Sequence, residues 1–362
     1  MARLPDAAFW RGKRVFLTGH TGFKGAWLAL WLKQLGAEVY GYALMPPSSP
    51  SLFEVARVAV DLTTDMRADL RDEGSVAGAV AQARPDIIFH LAAQSLVRPS
   101  YDDPLGTFAV NVMGTAHLLE AARHCAEVRA VVVVTTDKCY ENREWVHPYR
   151  ENDRLGGHDP YSASKACTEL VASCWRSSFF GAPDPCALRI ATVRAGNVIG
   201  AGDWAVDRLL PDCFRAFTRG EPVRLRYPHA VRPWQHVLEP LSGYLQLAES
   251  LVGAEGKNFA QAWNFGPEPD SDASVGYVAC EMARQWGGAA RVELEPVPEA
   301  PHEAGLLRLD STKARVQLGW RPRWSLDRAL LETVRGYRTY AEGGDLRTLV
   351  LDQINTYGLE SG

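Results

Sequence analysis

The sequence predicts an α/β fold, a doubly wound parallel sheet with a smaller second domain toward the C-terminus. Through roughly the first 200 residues, short apolar runs alternate with longer segments whose apolar residues recur at helical spacing. Residues 131–134 are four consecutive valines, and a strand without a polar face is typical of a parallel sheet covered on both sides. A glycine-rich turn at residues 19–25 directly follows the first apolar run, which gives the order strand, turn, helix.

The same patterns place the individual elements. The predicted strands are residues 14–18, 38–44, 86–91, 131–134, 186–194 and 262–266, and the predicted helices include residues 26–36, 105–123 and 326–342. We expect the last strand to return to the main sheet. After residue 196 the alternation becomes irregular and prolines become frequent. We therefore assign residues 1–196 and 234–266 to the sheet domain, and residues 197–233 and 267–362 to the smaller one.

Composition and charge restrict the kinds of partner. The 362 residues carry a net charge of −4, so no overall basic balance indicates a nucleic-acid partner. No apolar run is long enough to span a bilayer, and residues 1–14 lack the apolar core of a signal peptide, so we expect no membrane partner and a cytoplasmic location. Seven cysteines without a Cys-x-x-Cys pair or clustered histidines predict reduced thiols and no metal site.

The glycine-rich turn is a candidate cofactor site. Its glycines would let the backbone turn tightly and approach a pyrophosphate, which then rests on the N-terminus of the following helix. The alternative is an ordinary glycine-rich loop, but the strand before it and the helix after it favour a Rossmann-type dinucleotide site. The residues assigned to the cofactor here are Gly19, Thr21, Gly22, Phe23, Lys24 and Gly25.

The end of the second predicted strand, residues 38–44, indicates which dinucleotide is bound. This position commonly carries an acid that binds the adenosine ribose or an arginine that accepts a 2′-phosphate. Neither is present, and no arginine or lysine occurs between Lys33 and Arg57. The sequence therefore predicts NAD rather than NADP, bound with modest affinity.

A tyrosine and a lysine four residues apart, Tyr161 and Lys165, form the candidate reaction centre. In a helix this spacing puts both on one face, where the ammonium would favour the ionised phenol, and a phenolate is a base. The pair alone is a weak signal, because the same spacing arises by chance on helix surfaces. Thr136 and Asp137 strengthen it, since they follow the 131–134 strand at the edge where an open parallel sheet opens its crevice.

Together these features resemble the extended short-chain dehydrogenase/reductase superfamily and, over nearly the whole chain, its family of CDP-glucose 4,6-dehydratases. The stretches that carry the resemblance are residues 19–25, 50–54, 135–142, 156–165, 194–200, 232–237 and 318–320. The resemblance implies further contacts with NAD from Asp69, Leu70, Leu91, Ala92, Ala93, Gln94, Asn111 and Thr135, and from Tyr161 and Lys165. For Asn111, a solvent-facing place on its helix is the alternative.

The resemblance also implies a dehydration driven by oxidation and reduction within one site. Tyr161 would take the proton of the glucose 4-hydroxyl while NAD accepts hydride from C4, with Thr136 holding that hydroxyl and Lys165 supporting the phenolate. Loss of the C5 proton would then expel the 6-hydroxyl as water, protonated by Asp137, and the hydride would return to C6. The product would be a 4-keto-6-deoxy sugar nucleotide.

Lys138 departs from the pattern of the related dTDP-glucose dehydratases, which have a glutamate at this place as the base for the C5 proton. A lysine is normally charged at pH 7 and cannot accept a proton, so Lys138 would need a lowered pKa or another role. Glu141, three residues farther on, is the alternative base, and it could equally be a surface acid or a ribose contact. The sequence leaves the choice between Lys138 and Glu141 open.

For the pyrophosphate of the substrate, CDP-glucose, the resemblance implies Arg232 and Asn197, and more loosely His302 and Glu303 near the nucleotide. An exposed surface position is the alternative for Arg232. Only the resemblance gives the cytosine nucleotide and a role in forming dideoxyhexoses for surface polysaccharide such as O-antigen.

Two other functions stay open, and the oligomeric state rests on resemblance alone. A nucleotide-sugar epimerase, or a dehydratase of another nucleotide hexose, would share the Tyr161 and Lys165 pair, but an epimerase needs no acid for elimination, so Asp137 favours dehydration. A cofactor-bound regulatory module would typically have a broken pair, and here the pair is intact. The resemblance implies a homodimer packed through the helices that contain Leu105 and Tyr161.

Overall fold

Seven parallel strands form the main sheet of the computed structural model, which describes residues 3–180, 188–268, 271–294 and 305–359. These strands are β1 (Arg14–Thr18), β2 (Glu38–Ala43), β3 (Thr64–Arg67), β4 (Ile87–His90), β5 (Ala130–Val134), β6 (Arg189–Ala195) and β10 (Ala262–Phe265). The shorter strands outside it are β7 (Asn197–Ile199), β8 (Pro222–Arg224), β9 (Val231–His236), β11 (Asp272–Ser274) and β12 (Arg291–Glu293).

Helices cover both faces of the main sheet and build most of the C-terminal region. They are α1 (Ala7–Trp10), α2 (Phe23–Gln34), α3 (Leu52–Val55), α4 (Glu73–Ala83), α5 (Val97–Asp102), α6 (Pro104–Phe108), α7 (Gly114–Arg123), α8 (Pro160–Phe179), α9 (Leu209–Thr218), α10 (Leu238–Val252), α11 (Gly256–Phe259), α12 (Val275–Trp286), α13 (Leu326–Ala341) and α14 (Leu346–Leu359). Within the described ranges, no helix combines the length and the apolarity that crossing a bilayer requires.

The strand order of the main sheet is β3-β2-β1-β4-β5-β6-β10, and every neighbouring pair is parallel. The order of the strands reverses between β1 and β4, and an open sheet of this kind forms its ligand crevice at such a point. The predicted doubly wound sheet is thus confirmed. Strand β10 returns to the sheet beside β6, as expected for residues 262–266.

The valine run explains why the sheet is buried on both sides. Val132 and Val134 belong to one apolar cluster, whereas Val131 and Val133 belong to the cluster on the opposite face. Because successive side chains of a strand point to opposite faces, a strand between two helical layers needs an apolar residue at every position.

The smaller strands lie beyond the carboxyl end of β6. They form a three-stranded sheet of order β11-β9-β7 and a two-stranded pair of β12 with β8. In the larger of the two, β7 runs parallel to β9, and β11 runs antiparallel to it. The boundary that we placed at residue 234 falls inside β9, and the division of the chain into two domains stays a prediction.

Two predicted elements differ in detail from the structure. The helix expected over residues 105–123 is α6 and α7 joined by a π-helical turn, Ala109–Met113, which contains Asn111. Such turns insert one extra residue in a helix and are frequent at functional sites. The strand expected over residues 186–194 is described as Arg189–Ala195, and residue 186 lies outside the described ranges.

Candidate active site

A cavity of about 850 Å³ opens at the carboxyl ends of the strands of the main sheet. Its walls come from the turns that follow these strands, from the start of α8 and from residues 195–212. It brings together most of the residues predicted from sequence: Gly19, Thr21, Gly22, Phe23, Lys24, Gly25, Asp69, Leu70, Leu91, Ala92, Ala93, Thr135, Thr136, Asp137, Lys138, Tyr161, Lys165, Asn197 and Arg232.

The glycine-rich turn closes on the sheet and leaves the start of α2 open. Gly19 has a φ of +77°, which favours glycine, and a Cβ on it would lie 2.6 Å from the backbone nitrogen of Ala92. A Cβ on Gly25 would collide with the carbonyl oxygen of Gly19. Gly22 precedes α2 and puts no side chain in front of it. The unpaired amides of the first helical turn therefore face the cavity, where they can bind an anion.

Lys24, in the first turn of α2, adds a positive charge at the same end of the cavity. Burial lowers the pKa of Lys24 to about 8; the charges of Arg208 and Lys165 also lower it, whereas Asp137 raises it. A cation at a helix N-terminus is electrostatically unfavourable. An anionic ligand would relieve both this repulsion and the mutual repulsion of the cations.

A cation reaches the end of β2 from the neighbouring strand β3. Arg67 Nη1 donates a hydrogen bond to the Leu44 carbonyl oxygen at 3.2 Å. One oxygen of Asp65 forms an ion pair with Arg67 at 2.8 Å, and the other lies 2.8 Å from His20 Nε2. Arg67 was not predicted, because it lies far from the end of β2 along the chain and only the parallel pairing of β2 with β3 places residue 67 beside residue 43.

Tyr161 and Lys165 lie on one face of α8, as predicted, but their contacts differ from our expectation. Burial raises the pKa of Tyr161 to about 12, opposed by a hydrogen bond with Thr136. Lys165 Nζ donates to the carbonyl oxygen of Val134 at 3.0 Å, and burial lowers the pKa of Lys165 to about 8. The expected lowering of the tyrosine pKa is not seen, because the ammonium is drawn to the end of β5 and the effect of burial dominates.

Asp137 lines the cavity in a turn that Thr136 caps. Thr136 Oγ1 accepts a hydrogen bond from the Lys138 amide at 3.3 Å and donates one to Asp137 Oδ1 at 3.0 Å. Asp137 is buried, and its Oδ2 has no hydrogen-bond partner among the described residues. Since an unpaired buried oxygen is costly, this atom is available to exchange a proton with a bound molecule.

The two candidates for the C5 base lie in different surroundings. Lys138 lines the cavity beside Asp137. Glu141 lies outside the lining, where its Oε2 is 3.0 Å from Arg154 Nε and 3.6 Å from Arg143 Nη2. Because Lys138 lines the cavity and Glu141 does not, the geometry favours Lys138, and the identity of the base stays a prediction.

Some residues assigned to the cofactor support the wall instead of lining it. Asn111 Nδ2 donates to Ser164 Oγ at 2.9 Å and to the Gln94 carbonyl oxygen at 3.0 Å, and Asn111 Oδ1 accepts from the Gln94 amide at 2.9 Å. Asn111 is therefore buried between the loop after β4 and helix α8, not solvent-facing. Thr135 lines the cavity, but its hydroxyl donates into the interior, to Glu169 Oε1 at 2.5 Å.

The residues assigned to the substrate are only partly described. Arg232 is buried in β9 and not on the open surface; its Nη1 donates to the Val231 carbonyl oxygen at 2.9 Å. Asn197 begins the neighbouring strand β7. His302 and Glu303 lie outside the described residues.

Four further arginines, Arg98, Arg208, Arg224 and Arg226, line the cavity and were not predicted. Arg208 forms an ion pair with Asp203 at 2.9 Å, while Arg98 and Arg226 lie 3.1 and 2.8 Å from the same oxygen of Asp207. These arginines belong to no sequence motif, and residues 98 and 226 are brought together only by the fold.

Comparison with known sequences places the chain among nucleotide-sugar enzymes. The family described as GDP-mannose 4,6 dehydratase matches residues 16–333. CDP-glucose 4,6-dehydratase of Salmonella typhimurium is 49% identical over 354 residues, which cover 97% of this chain and 98% of that protein. UDP-glucose 4-epimerase of Mycolicibacterium smegmatis is 26% identical over 339 residues, which cover 91% of this chain and all 100% of that protein.

Solved structures share the fold. A dTDP-glucose 4,6-dehydratase of Streptomyces venezuelae with NAD bound has a TM-score of 0.76 at 23% identity, covering 91% of this chain and 98% of that one. UDP-glucose 4-epimerase of Thermus thermophilus in complex with NAD has a TM-score of 0.75 at 25% identity, covering 90% of this chain and 99% of that one. With the cavity, the sheet order and these matches together, the chain belongs to the GDP-mannose 4,6 dehydratase family.

Proposed function

We propose that the protein is a CDP-glucose 4,6-dehydratase that uses NAD and forms CDP-4-keto-6-deoxy-D-glucose. The observation that carries the proposal is the meeting of Thr136, Asp137 and Tyr161 in one cavity, with an oxygen of Asp137 left unpaired. The 49% identity to the Salmonella CDP-glucose 4,6-dehydratase supports the nucleotide.

The glycine-rich turn fits the pyrophosphate of NAD. Gly22 leaves the first amides of α2 open, and the Lys24 side chain adds a cation in the first turn of that helix. We assign the cofactor to this turn, to Asp69 and Leu70 after β3, and to residues 91–93 after β4. Bound NAD supplies the reversible hydride acceptor for oxidation at C4 and reduction at C6.

Tyr161 and Thr136 act on the 4-hydroxyl of glucose. Tyr161 takes the hydroxyl proton, and Thr136, already within hydrogen-bond distance of the phenol, holds the oxygen. The phenol is a poor base as it stands, because burial raises its pKa to about 12. Lys165 must therefore turn from the Val134 carbonyl toward Tyr161, or the bound ligands must change the local charge, before the proton can leave.

Asp137 and Lys138 act on the elimination that follows. Once C4 is a ketone, the C5 proton is acidic, and we assign Lys138 to its removal, either as the amine that accepts the proton or by stabilising the enolate that forms. Asp137 Oδ2 donates a proton to the 6-hydroxyl, so that the C6–O bond breaks and water leaves. After reduction at C6, the group that took the C5 proton returns it to C5.

Polar and cationic side chains in the lining of the cavity bind the diphosphate of the substrate. Arg232 and Asn197 are our first choices. We add Arg208 because it lies near Tyr161, and its positive charge lowers the pKa of that tyrosine. Arginine suits this task since its planar guanidinium matches phosphate oxygens. His302 and Glu303 are assigned only loosely to the nucleotide.

The test is to incubate the purified protein with NAD and with CDP-, dTDP-, UDP- or GDP-glucose, and to follow the mass of the sugar. Loss of one water from CDP-glucose, with the alkali absorbance of a 4-keto product, is the expected result. A product of unchanged mass would make the protein an epimerase. Faster turnover of another nucleotide sugar would change the nucleobase that we assign to the substrate. No turnover with any of the four would refute the proposal.

Four broader features complete the proposal. We infer a homodimer packed through α6, α7 and α8, supported by exposed apolar side chains at Leu105, Met113 and Leu170 on these helices and the turn between them. The free cysteines of the described residues suit the reducing cytoplasm. The division of labour between a cofactor domain and a nucleotide-sugar domain follows the residue ranges given above, and the product would serve dideoxyhexose synthesis for surface polysaccharide.

A further inference from the structure

Helix α8 carries a third buried polar residue on the face of Tyr161 and Lys165. Glu169 follows Lys165 by one helical turn, and its side chain is only 3% exposed. A carboxylate this deep needs several hydrogen bonds, because its desolvation is otherwise prohibitive. The sequence analysis gave it no role, since it lies outside the Tyr161 to Lys165 motif.

The Glu169 carboxylate accepts four hydrogen bonds from three neighbours. Thr135 Oγ1 donates to Oε1 at 2.5 Å and Thr192 Oγ1 to Oε2 at 2.6 Å. Arg194 binds both oxygens, with Nε at 2.8 Å from Oε1 and Nη2 at 2.9 Å from Oε2. Burial by itself would raise the pKa of Glu169, but Arg194 and the two threonines outweigh it and hold that pKa below its usual range.

The same arginine also reaches the far end of the turn that carries Asp137. Arg194 Nη1 donates to the Tyr140 hydroxyl at 2.8 Å, and Tyr140 in turn donates to Asn264 Oδ1 at 2.7 Å. Thr135 immediately precedes the turn and Tyr140 immediately follows it. The Glu169 and Arg194 pair therefore forms hydrogen bonds with the residues at both ends of the segment that contains Thr136, Asp137 and Lys138.

Lys165 faces few groups that could balance its charge. Its ammonium donates to the Val134 carbonyl oxygen, and the titratable groups around it are Glu169, the Cys139 thiol, His90 and Lys24. Burial raises the pKa of Cys139 and lowers that of His90 to about 3, so both are neutral at pH 7. Among these described groups, Glu169 alone is negative, and its charge raises the pKa of Lys165.

We infer that Glu169 is a positioning residue for the proposed dehydration: it fixes the Thr135 end of the turn that carries Asp137, and it keeps an anion beside Lys165. A buried ion pair used only for stability could be replaced by apolar side chains at little cost. Here the pair joins the two elements that carry the reacting groups, β5 with its turn and α8. The role in turnover rests on the proposed function, whereas the effect on Lys165 does not.

Glu169→Gln tests the charge and keeps the size of the side chain. The readout is the apparent pKa of Lys165, measured by trace labelling with acetic anhydride across a pH series and mass spectrometry of the peptide that contains it. We expect the labelling midpoint to fall by roughly one pH unit. The alkaline limb of the kcat profile with CDP-glucose should move to lower pH by the same amount.

Thr192→Val is the matched control, because it removes one hydrogen bond to Glu169 but leaves its charge. It should lower the melting temperature without moving the labelling midpoint of Lys165. An unchanged midpoint in Glu169→Gln, or an equal shift in both variants, would overturn the inference. Since labelling needs no substrate, this outcome is distinct from a failure of the wild-type protein to dehydrate any nucleotide sugar.

Thr135→Val tests the positioning of the turn. It also provides a test of the inference if the Glu169→Gln variant does not fold. It removes the hydroxyl that joins β5 to Glu169 but keeps the carboxylate. We expect kcat to fall at least fivefold with little change in KM and no shift of the Lys165 midpoint. Wild-type kcat in this variant would show that the turn does not depend on Glu169.

Discussion

Two walls of the cavity are built in different ways. The glycine wall, residues 19–25, presents backbone amides at the start of α2, and its shape depends on Gly19 and Gly25 fitting against nearby backbone. The arginine wall, formed by Arg98, Arg208, Arg226 and Arg232, presents side chains that acidic partners or carbonyl oxygens hold in place. Both suit diphosphates, but the first comes from seven consecutive residues and the second from four distant ones.

This difference indicates which substitutions should weaken ligand binding at each wall. A backbone site tolerates most changes except those that add atoms to its glycines, since the donors are part of the helix itself. A side-chain site loses a donor with each substitution, and its ion pairs must open when a ligand arrives. Tyr161 and Asp137 line the same cavity, and we expect their substitution to lower activity more than substitution in either wall.

The largest effects are expected at this centre. Tyr161→Phe should lower kcat by about 10²–10⁴ and abolish the transient absorbance of reduced nicotinamide, because no group then takes the proton of the 4-hydroxyl. Asp137→Asn should lower turnover comparably but retain that absorbance, since it impairs only the later loss of water. Rapid mixing with CDP-glucose checks both. A complete block of the early absorbance in Asp137→Asn would contradict its assignment to elimination.

A smaller but still large effect should distinguish Lys138 from Glu141. Lys138→Ala should abolish exchange of the C5 hydrogen with deuterated solvent, because Lys138 lines the cavity, whereas Glu141→Gln should retain most of it, because Arg154 and Arg143 hold that side chain outside. Mass spectrometry of the sugar after incubation in D₂O provides the measurement. Normal exchange in Lys138→Ala with none in Glu141→Gln would make Glu141 the base.

The glycine wall can be broken with one methyl group. In Gly25→Ala the new Cβ would collide with the carbonyl oxygen of Gly19, and the shift of the turn should weaken NAD binding by about 10- to 100-fold. Gly78→Ala in α4 is the control, because its Cβ would meet no atom within 4 Å. Calorimetric titration with NAD compares them, and equal affinities would show that the turn does not hold the cofactor.

The arginine wall should respond by about tenfold. Arg208→Gln removes a charged donor near Tyr161, so we expect the dissociation constant for CDP to rise by about 10-fold while that for NAD stays the same. Arg284→Gln, which removes an exposed ion pair with Glu281 on α12, should leave both constants unchanged. A loss of NAD affinity in Arg208→Gln would place this arginine on the cofactor side.

The smallest effect concerns the choice between NAD and NADP. We expect NAD to bind more tightly, because Arg67, which contacts the Leu44 carbonyl after β2, is already paired with Asp65. Asp65→Asn should free Arg67 and improve NADP binding a few-fold relative to NAD. Fluorescence titration with both cofactors measures the ratio. Tighter binding of NADP by the wild-type protein would contradict the preference.

The sequence by itself determined the features that depend on neighbouring residues. The valine run of β5, the glycine turn before α2 and the spacing of Tyr161 and Lys165 each express a local rule of strand, turn or helix geometry. They were sufficient to predict the parallel sheet, the return of β10 and the place of the site. They could not give the direction of a side chain, which is why the contact of Lys165 with Val134 was unexpected.

Only the tertiary structure decided which distant residues complete the site. Strand pairing brings Arg67 to the end of β2, and the packing of α8 on β5 and β6 joins Glu169 to Thr135 and Arg194. The tertiary structure also places Glu141 outside the lining of the cavity, and it places Asn111 behind the wall, where Asn111 forms a hydrogen bond with the loop after β4. Hydrogen bonds and ion pairs of this kind depend on three-dimensional distance, which no spacing along one chain encodes, so their partners emerge only when the strands and helices are assembled.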